Sequence, residues 1–258
     1  MLKLEDLAAL VEQYPEAAGG SVREFALGNR FFAFNQRPFV MGVVNLSPDS
    51  WYRESVCLSA EQAVRRGKVL AEQGAEVVDV GAESTLARAA RADERLQNSK
   101  LLPVVRELSA AGVVVSVETY ELEVARACLA AGARVLNLTG TERTEAFYRV
   151  AREHDAGVIL CYVQGSHVRA VGDFDLQDDP IPPMYEYFAR EVELAARLGV
   201  ERIILDPGLG FYYRNLADSA RRVQHQMRVF LNTFRLRKLG CPLCHALPHG
   251  DTRLLAWL

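Results

Sequence analysis

Apolar residues in this chain come in short runs, and each run ends on a polar group. Phe39-Val40-Met41-Gly42-Val43-Val44 stops at Asn45, Val77-Val78-Asp79-Val80 leads to Glu83-Ser84-Thr85, and Val113-Val114-Val115-Ser116-Val117 leads to Glu118-Thr119. Val135-Leu136 stops at Asn137, and Ile203-Ile204-Leu205 stops at Asp206-Pro207-Gly208. A helical pattern follows each of them. Short apolar runs bounded by turn residues read as buried strands, and strands alternating with helices predict a parallel sheet. Repeated this often in 258 residues, the pattern predicts an α/β fold closed into a TIM-type (β/α)8 barrel. In such barrels the C-terminal strand ends share one face, where chemistry is placed. Asn45, Thr85, Glu118, Asn137 and Asp206 then converge on one mouth. The competing reading is that these residues cap the helices that follow. It is strongest for Thr85 and Ser47, and weaker for Glu118 and Asn137, which precede the turn.

Before the barrel, Leu4, Leu7, Ala8, Leu10 and Val11 form one helical face, which Pro15 and Gly19-Gly20 end. Residues 1–21 read as a helical extension and residues 22–258 as the barrel. Within the latter, 22–34 reads as a β-hairpin turning at Gly28-Asn29, an apolar plug for the barrel bottom. Ser59 and Gln62 form a capping box for a helix whose inner face is Ala63, Gly67, Leu70 and Ala71. Residues 158–163 read as the fifth strand. The segment onward to Pro183 reads as a long solvated loop, because its aspartates match no calcium-loop spacing. Cys241-Pro242-Leu243-Cys244-His245 formally fits a haem or dithiol motif. It falls where the seventh strand should be, and strand alternation would split zinc ligands across two faces. The acid-free stretch 219–250 carries Arg221, Arg222, Arg228, Arg235, Arg237 and Lys238. A solvated helix face is the default reading, and a subunit interface or anion-attracting surface the sharper one.

Composition narrows the function classes. A net charge of −3 argues against general nucleic-acid binding or a membrane surface. No apolar run approaches the ~18 residues of a membrane span, and the acidic, amphipathic N-terminus is unlike a secretory signal. Five scattered cysteines suit a reducing cytoplasm.

Four stretches carry a family resemblance. Asn45-Leu46-Ser47-Pro48-Asp49-Ser50 is similar to the N-x-T-P-D-S signature of dihydropteroate synthases. Gly81-Ala82-Glu83-Ser84-Thr85 resembles their G-G-E-S-T, and Ser116-Val117-Glu118-Thr119 their S-I-D-T. Asp206-Pro207-Gly208-Leu209-Gly210-Phe211 matches D-P-G-x-G-F, with Asn215 at the spacing of a family asparagine. The motifs follow family order from about Phe25 to Pro248. The resemblance implies a transferase of folate biosynthesis that joins 6-hydroxymethyl-dihydropterin pyrophosphate to 4-aminobenzoate. It implies catalytic roles for Asp206 and Glu118, and pterin contacts from Glu118, Asn137, Asp206, Gly210 and Phe211. Pyrophosphate contacts fall to Asn45 and Thr85, and a Mg2+ ligand role to Asn45. It also implies a homodimer through the late barrel helices.

The departures are specific. Trp51-Tyr52-Arg53 replaces a small-residue loop, and Leu86-Ala87-Arg88 replaces R-P-G, which suggests a helical extension there; Arg88 and Arg91 are candidate anion contacts. Glu118 stands for aspartate, Leu138 for the aspartate after Asn137, Cys161-Tyr162 for methionine–histidine, and Tyr212-Tyr213 for glycine–lysine. The S-R-K stretch becomes Leu247-Pro248-His249-Gly250, and no R-x-H motif appears. Seven strand–helix starts are countable, so either the chain is cut short of its last unit, which is the expectation, or this member closes its barrel another way. Three readings stay open: a divergent synthase; a pterin-binding homologue with other chemistry, such as corrinoid-linked methyl transfer; and a silent binding subunit whose mouth is filled by Trp51, Tyr212 and Tyr213.

Overall fold

The computed structural model describes residues 4–50, 52–84, 90–167, 172–211 and 213–246. After two helices, α1 (Leu4–Gln13) and α2 (Pro15–Ala18), an antiparallel hairpin pairs β1 (Phe25–Leu27) with β2 (Arg30–Phe32). Gly28 takes the first central turn position with φ 59°, where a type II′ turn demands positive φ. Six parallel strands then form one curled sheet in sequential order: β3 (Val40–Asn45), β4 (Ala75–Gly81), β5 (Val114–Glu118), β6 (Val135–Leu138), β7 (Gly157–Cys161) and β8 (Ile203–Asp206). The helices are α3 (Ala60–Glu72), α4 (Glu94–Ala110), α5 (Leu122–Ala130), α6 (Thr144–Glu153), α7 (Ile181–Arg197) and α8 (Ser219–Asn232). This is an incomplete barrel.

The period of two along each strand divides the core. Val78, Val80, Val115, Val117, Leu136, Val158, Leu160 and Leu205 face outward into a cluster shared with the helices. Val77, Val114, Val135, Ile159 and Ile204 face inward and meet Phe25, Leu27 and Phe32 of the hairpin. The hairpin therefore plugs the barrel from below. Its Phe32 packs tightly on Phe39, which precedes β3, with ring centroids 4.9 Å apart. The α3 cap forms: Ser59 Oγ accepts from the Gln62 N–H, while Gln62 Oε1 accepts from Leu58, one residue before the cap.

Several expectations change. Among the described residues only six barrel strands form; in the seventh position a single bridge links Leu243 to Leu205. Pro242 offers no N–H and supplies only its carbonyl, to Leu205 N, so the ladder cannot extend. Cys241 packs with the outward cluster and Cys244 against the inward one, on opposite faces. The Asp- and Pro-rich loop ends at Pro180. Pro182 and Pro183 lie in the first turn of α7, where a missing N–H costs nothing. Residues 90–93 are irregular and α4 starts at Glu94, so no helical extension occupies them; Thr85, Leu86, Ala87 and Arg88 lie outside the described residues.

The basic stretch is not simply a solvated face. Arg222 is buried and donates to the carbonyls of Leu216 and Ala217. Arg235 grips Asp179 with two bonds of 2.9 and 2.7 Å and lies 4.0 Å over the Tyr14 ring. Lys238 reaches Glu16 at 2.8 Å. The Tyr14 and Glu16 contacts dock α2 on the 3-10 turn Thr233–Leu239. By contrast α1 buries none of its residues, and Pro15 starts α2 rather than ending structure.

Replacing Phe32 by Ala should lower unfolding free energy by ~3–5 kcal/mol, since it empties the plug. Leu4→Ala on exposed α1 should change it by less than about 0.5 kcal/mol. Urea denaturation of both variants checks the contrast.

Candidate functional site

The top of the same inward face is polar. Asp79 on β4, Ser116 and Glu118 on β5, Asn137 on β6, Cys161 on β7 and Asp206 on β8 alternate with the outward valines and leucines. Asn45 pairs with Gly81, Gly81 with Glu118, and Glu118 with Asn137, which sets one row across four strands. Cys161 pairs with Asp206.

Hydrogen bonds hold the row. Asp79 is buried; its Oδ1 accepts from Ser116 Oγ at 2.5 Å and its Oδ2 from Asn137 Nδ2 at 3.1 Å. Asn137 Oδ1 in turn accepts from the Cys161 thiol at 3.6 Å. Thr139 Oγ1 lies 2.8 Å from Glu118 Oε1 and 2.9 Å from the Tyr120 hydroxyl. Asp206 Oδ1 accepts from Gly208 N at 2.7 Å. That turn requires glycine: Gly208 has φ 78°, and a Cβ there would lie 2.3 Å from the Tyr162 carbonyl oxygen. Asn45 donates to Ser55 Oγ at 2.6 Å. Its Oδ1 and Glu118 Oε2 both approach the space left by the missing Cβ of Gly81, at 3.5 and 3.4 Å.

Three carboxyls therefore share one mouth, and among the described residues no Lys or Arg pairs with Asp79, Glu118 or Asp206. Burial pushes Glu118 up to about 8, helped by the Asp79 charge and opposed by Thr139. Burial pushes Asp206 up to about 6 against the Gly208 hydrogen bond. Asp79 is also raised by burial, with Ser116 and Asn137 pulling the other way. Glu118 and Asp206 keep some exposure through the mouth, yet protein surrounds their carboxyls on the other sides, and the lost hydration outweighs that access. In the free protein the site thus favours the protonated form of Glu118.

The loops above are tied down as well. Gln97 of α4, fully buried, donates to Glu83 Oε2 at 3.3 Å and to Ala92 O at 2.8 Å, and accepts from Thr119 Oγ1 at 2.7 Å. Ser84 Oγ donates to Asp49 O, and Lys100 Nζ to Leu46 O.

The structure brings Asn45, Glu118, Asn137 and Asp206 together as expected. Phe211 packs against both core clusters beside them, and the Gly210 backbone passes near Ala246. Thr85 lies outside the described residues, as do Trp51, Tyr212 and 247–250. Tyr213 does not fill the mouth. Its ring packs edge-on to Phe174 at 4.7 Å, and its hydroxyl accepts from Gln164 N. Asn215 is bonded to the Phe174 backbone through both its oxygen and its nitrogen. Asp79, Ser116, Thr139, Tyr120 and Cys161 belong to the site without having been singled out for it. For Asp79 the signal was present: a charge inside the apolar run 77–80, on the face of Gly81. Among the described residues, no group of three or more His, Cys, Asp or Glu is placed to hold a metal, and no helix is long and apolar enough to cross a membrane.

Comparison with known proteins agrees with this geometry. The family pattern described as pterin binding enzyme matches residues 41–247. The dihydropteroate synthase of Bacillus subtilis is 31% identical over 205 residues, covering 77% of this chain and 67% of its own. That of Synechocystis sp. is 29% identical over 221 residues, covering 84% and 73%. The structure of the Xanthomonas albilineans dihydropteroate synthase in complex with 7,8-dihydropteroate superposes with a TM-score of 0.67 at 26% identity, covering 87% of this chain and 78% of that one. With the pattern spanning most of the sequence and the acids in place at the strand ends, the chain belongs to the dihydropteroate synthase family of pterin-binding enzymes.

Proposed function

We propose that this protein condenses 6-hydroxymethyl-dihydropterin pyrophosphate with 4-aminobenzoate to give dihydropteroate. The observation that carries this reading is the cluster of Asp79, Glu118 and Asp206, with Asn137 beside them and no paired cation among the described residues. Such a cluster suits a ring edge rich in N–H donors and able to bear positive charge. The relative from X. albilineans, solved with 7,8-dihydropteroate, supports the same substrate pair.

In this reading the ring lies across the mouth with Asp206 and Glu118 accepting from its N–H groups and Asn137 bordering it. Asp79 braces Asn137 from below. Cleavage of the C–O bond to pyrophosphate leaves positive charge on the pterin, which the carboxylates stabilise. The amine nitrogen of 4-aminobenzoate then bonds to the exocyclic carbon and loses a proton to water. Asn45 fits a Mg2+ ligand, because its amide nitrogen is occupied by Ser55 and its hard oxygen is left toward the mouth. Bound with Asn45 and the pyrophosphate oxygens, Mg2+ would supply charge neutralisation of the departing anion. Thr85, by resemblance, is assigned to the same anion. We assign the protein to the cytoplasm, in keeping with five unpaired thiols, and propose a homodimer through the late barrel helices.

Purified protein given dihydropterin pyrophosphate, Mg2+ and labelled 4-aminobenzoate should form labelled dihydropteroate. Asp206→Ala should cut kcat/KM about a hundredfold or more, as loss of one transition-state contact does. Absence of product from the wild-type protein would overturn the proposal.

Pterin binding should also release protons. Glu118 and Asp206 are raised toward about 8 and about 6 in the empty site, and ring N–H donors favour their ionised forms. Affinity should therefore rise with pH between about 6 and about 8 and level off above. Titration calorimetry at pH 7 in buffers of different ionisation enthalpy should show the released proton, and Glu118→Gln should remove most of it.

A further inference from the structure

Glu118 differs from the family aspartate by one methylene, and the structure shows where that reach goes. Its Oε1 contacts Thr139 Oγ1 at 2.8 Å. Its Oε2 points the other way, over Gly81 toward Asn45. Thr139 follows the last residue of β6, is buried, and faces inward by alternation with Asn137. Behind it stands Tyr120, whose hydroxyl is 2.9 Å from Thr139 Oγ1 and whose ring lies 5.4 Å from that of His167. A bridge between Gly140 and His167, with Thr141 N donating to Ser166 O, fixes that ring from the loops after β6 and β7.

A threonine hydroxyl has one proton and two lone pairs. Against an ionised Glu118, Tyr120 donates to Thr139 and Thr139 donates to Oε1. Against a protonated Glu118 the same chain runs in reverse. Thr139 therefore satisfies Oε1 in either state, which valine, of equal shape, does not.

We propose that Thr139 is a positioning residue that reserves Oε1 of Glu118 and leaves Oε2 as the single acceptor this side chain offers a bound heterocycle. The longer acid and the hydroxyl act as a unit: Glu118 reads one ring N–H, and Asp206 reads the rest. The part concerning the ring rests on the pterin reading above; the part concerning Glu118 does not.

The test uses the full chain and 6-hydroxymethyl-7,8-dihydropterin as probe. In calorimetry T139V should bind about tenfold more weakly, the size of one lost hydrogen bond to a charged group, and T139S should stay within about twofold of wild type. The double variant T139V/E118Q should bind no more weakly than E118Q alone. In infrared spectra of the ligand-free, 13C-glutamate-labelled protein, the carboxyl band lost in E118Q should shift in T139V and hold in T139S. Unchanged affinity in T139V, or an equal loss in the E118Q background, would overturn the inference. Should the wild-type protein fail to bind the pterin, the functional reading fails. The infrared band then decides alone: a shift in T139V upholds the positioning role, and an unmoved band ends it.

Discussion

Removing three carboxyl groups from water at one end of a barrel costs free energy, and the top of this fold is arranged around offsetting that cost. Asp79 receives donors from β5 and β6, Asp206 from its own turn, and Glu118 has Thr139 beside it. For Asp79 both partners come from other strands of the sheet, Ser116 on β5 and Asn137 on β6, so the parallel ladder does more than hold the sheet. It sets the donors at hydrogen-bonding distance. What remains uncompensated appears as raised carboxyl pKa values, and an N–H-rich ligand can supply the missing compensation.

The lower half of the barrel carries the complementary task. Valines on β4, β5 and β6 and isoleucines on β7 and β8 need an apolar lid beneath them, and the hairpin aromatics supply it. The N-terminal segment is joined to this arrangement at a second place. Tyr14 and Glu16 hold Arg235 and Lys238, Arg23 N bonds Gly240 O, and the chain then passes directly to the Leu243 bridge beside β8. Residues before the hairpin thus help set the path of the segment flanking Asp206.

Much of this was legible from residue order alone, for definable reasons. Asn45, Glu118, Asn137 and Asp206 terminate apolar runs, and the C-terminal end of a strand is where a barrel presents polar groups. The Gly28 turn and the Ser59 cap are local, so local sequence carries them. Asp79 escaped notice because it sits two residues before its strand's end, where the eye takes a run as uniformly apolar. Thr139 and Tyr120 escaped because their meaning arises only when β5 and β6 lie side by side. The seventh strand was overcounted because hydrophobic pattern does not register Pro242's missing N–H. The basic stretch was misread because Arg235 and Asp179, 56 residues apart, meet only in three dimensions.

Gln97 has a mechanical meaning. One fully buried amide ties the segment after β4, at Glu83 and Ala92, to the segment after β5, at Thr119. Opening either segment breaks bonds that water cannot readily replace in so dry a position. These two rims of the mouth are therefore held to each other, at Glu83, Ala92 and Thr119, through one side chain of α4.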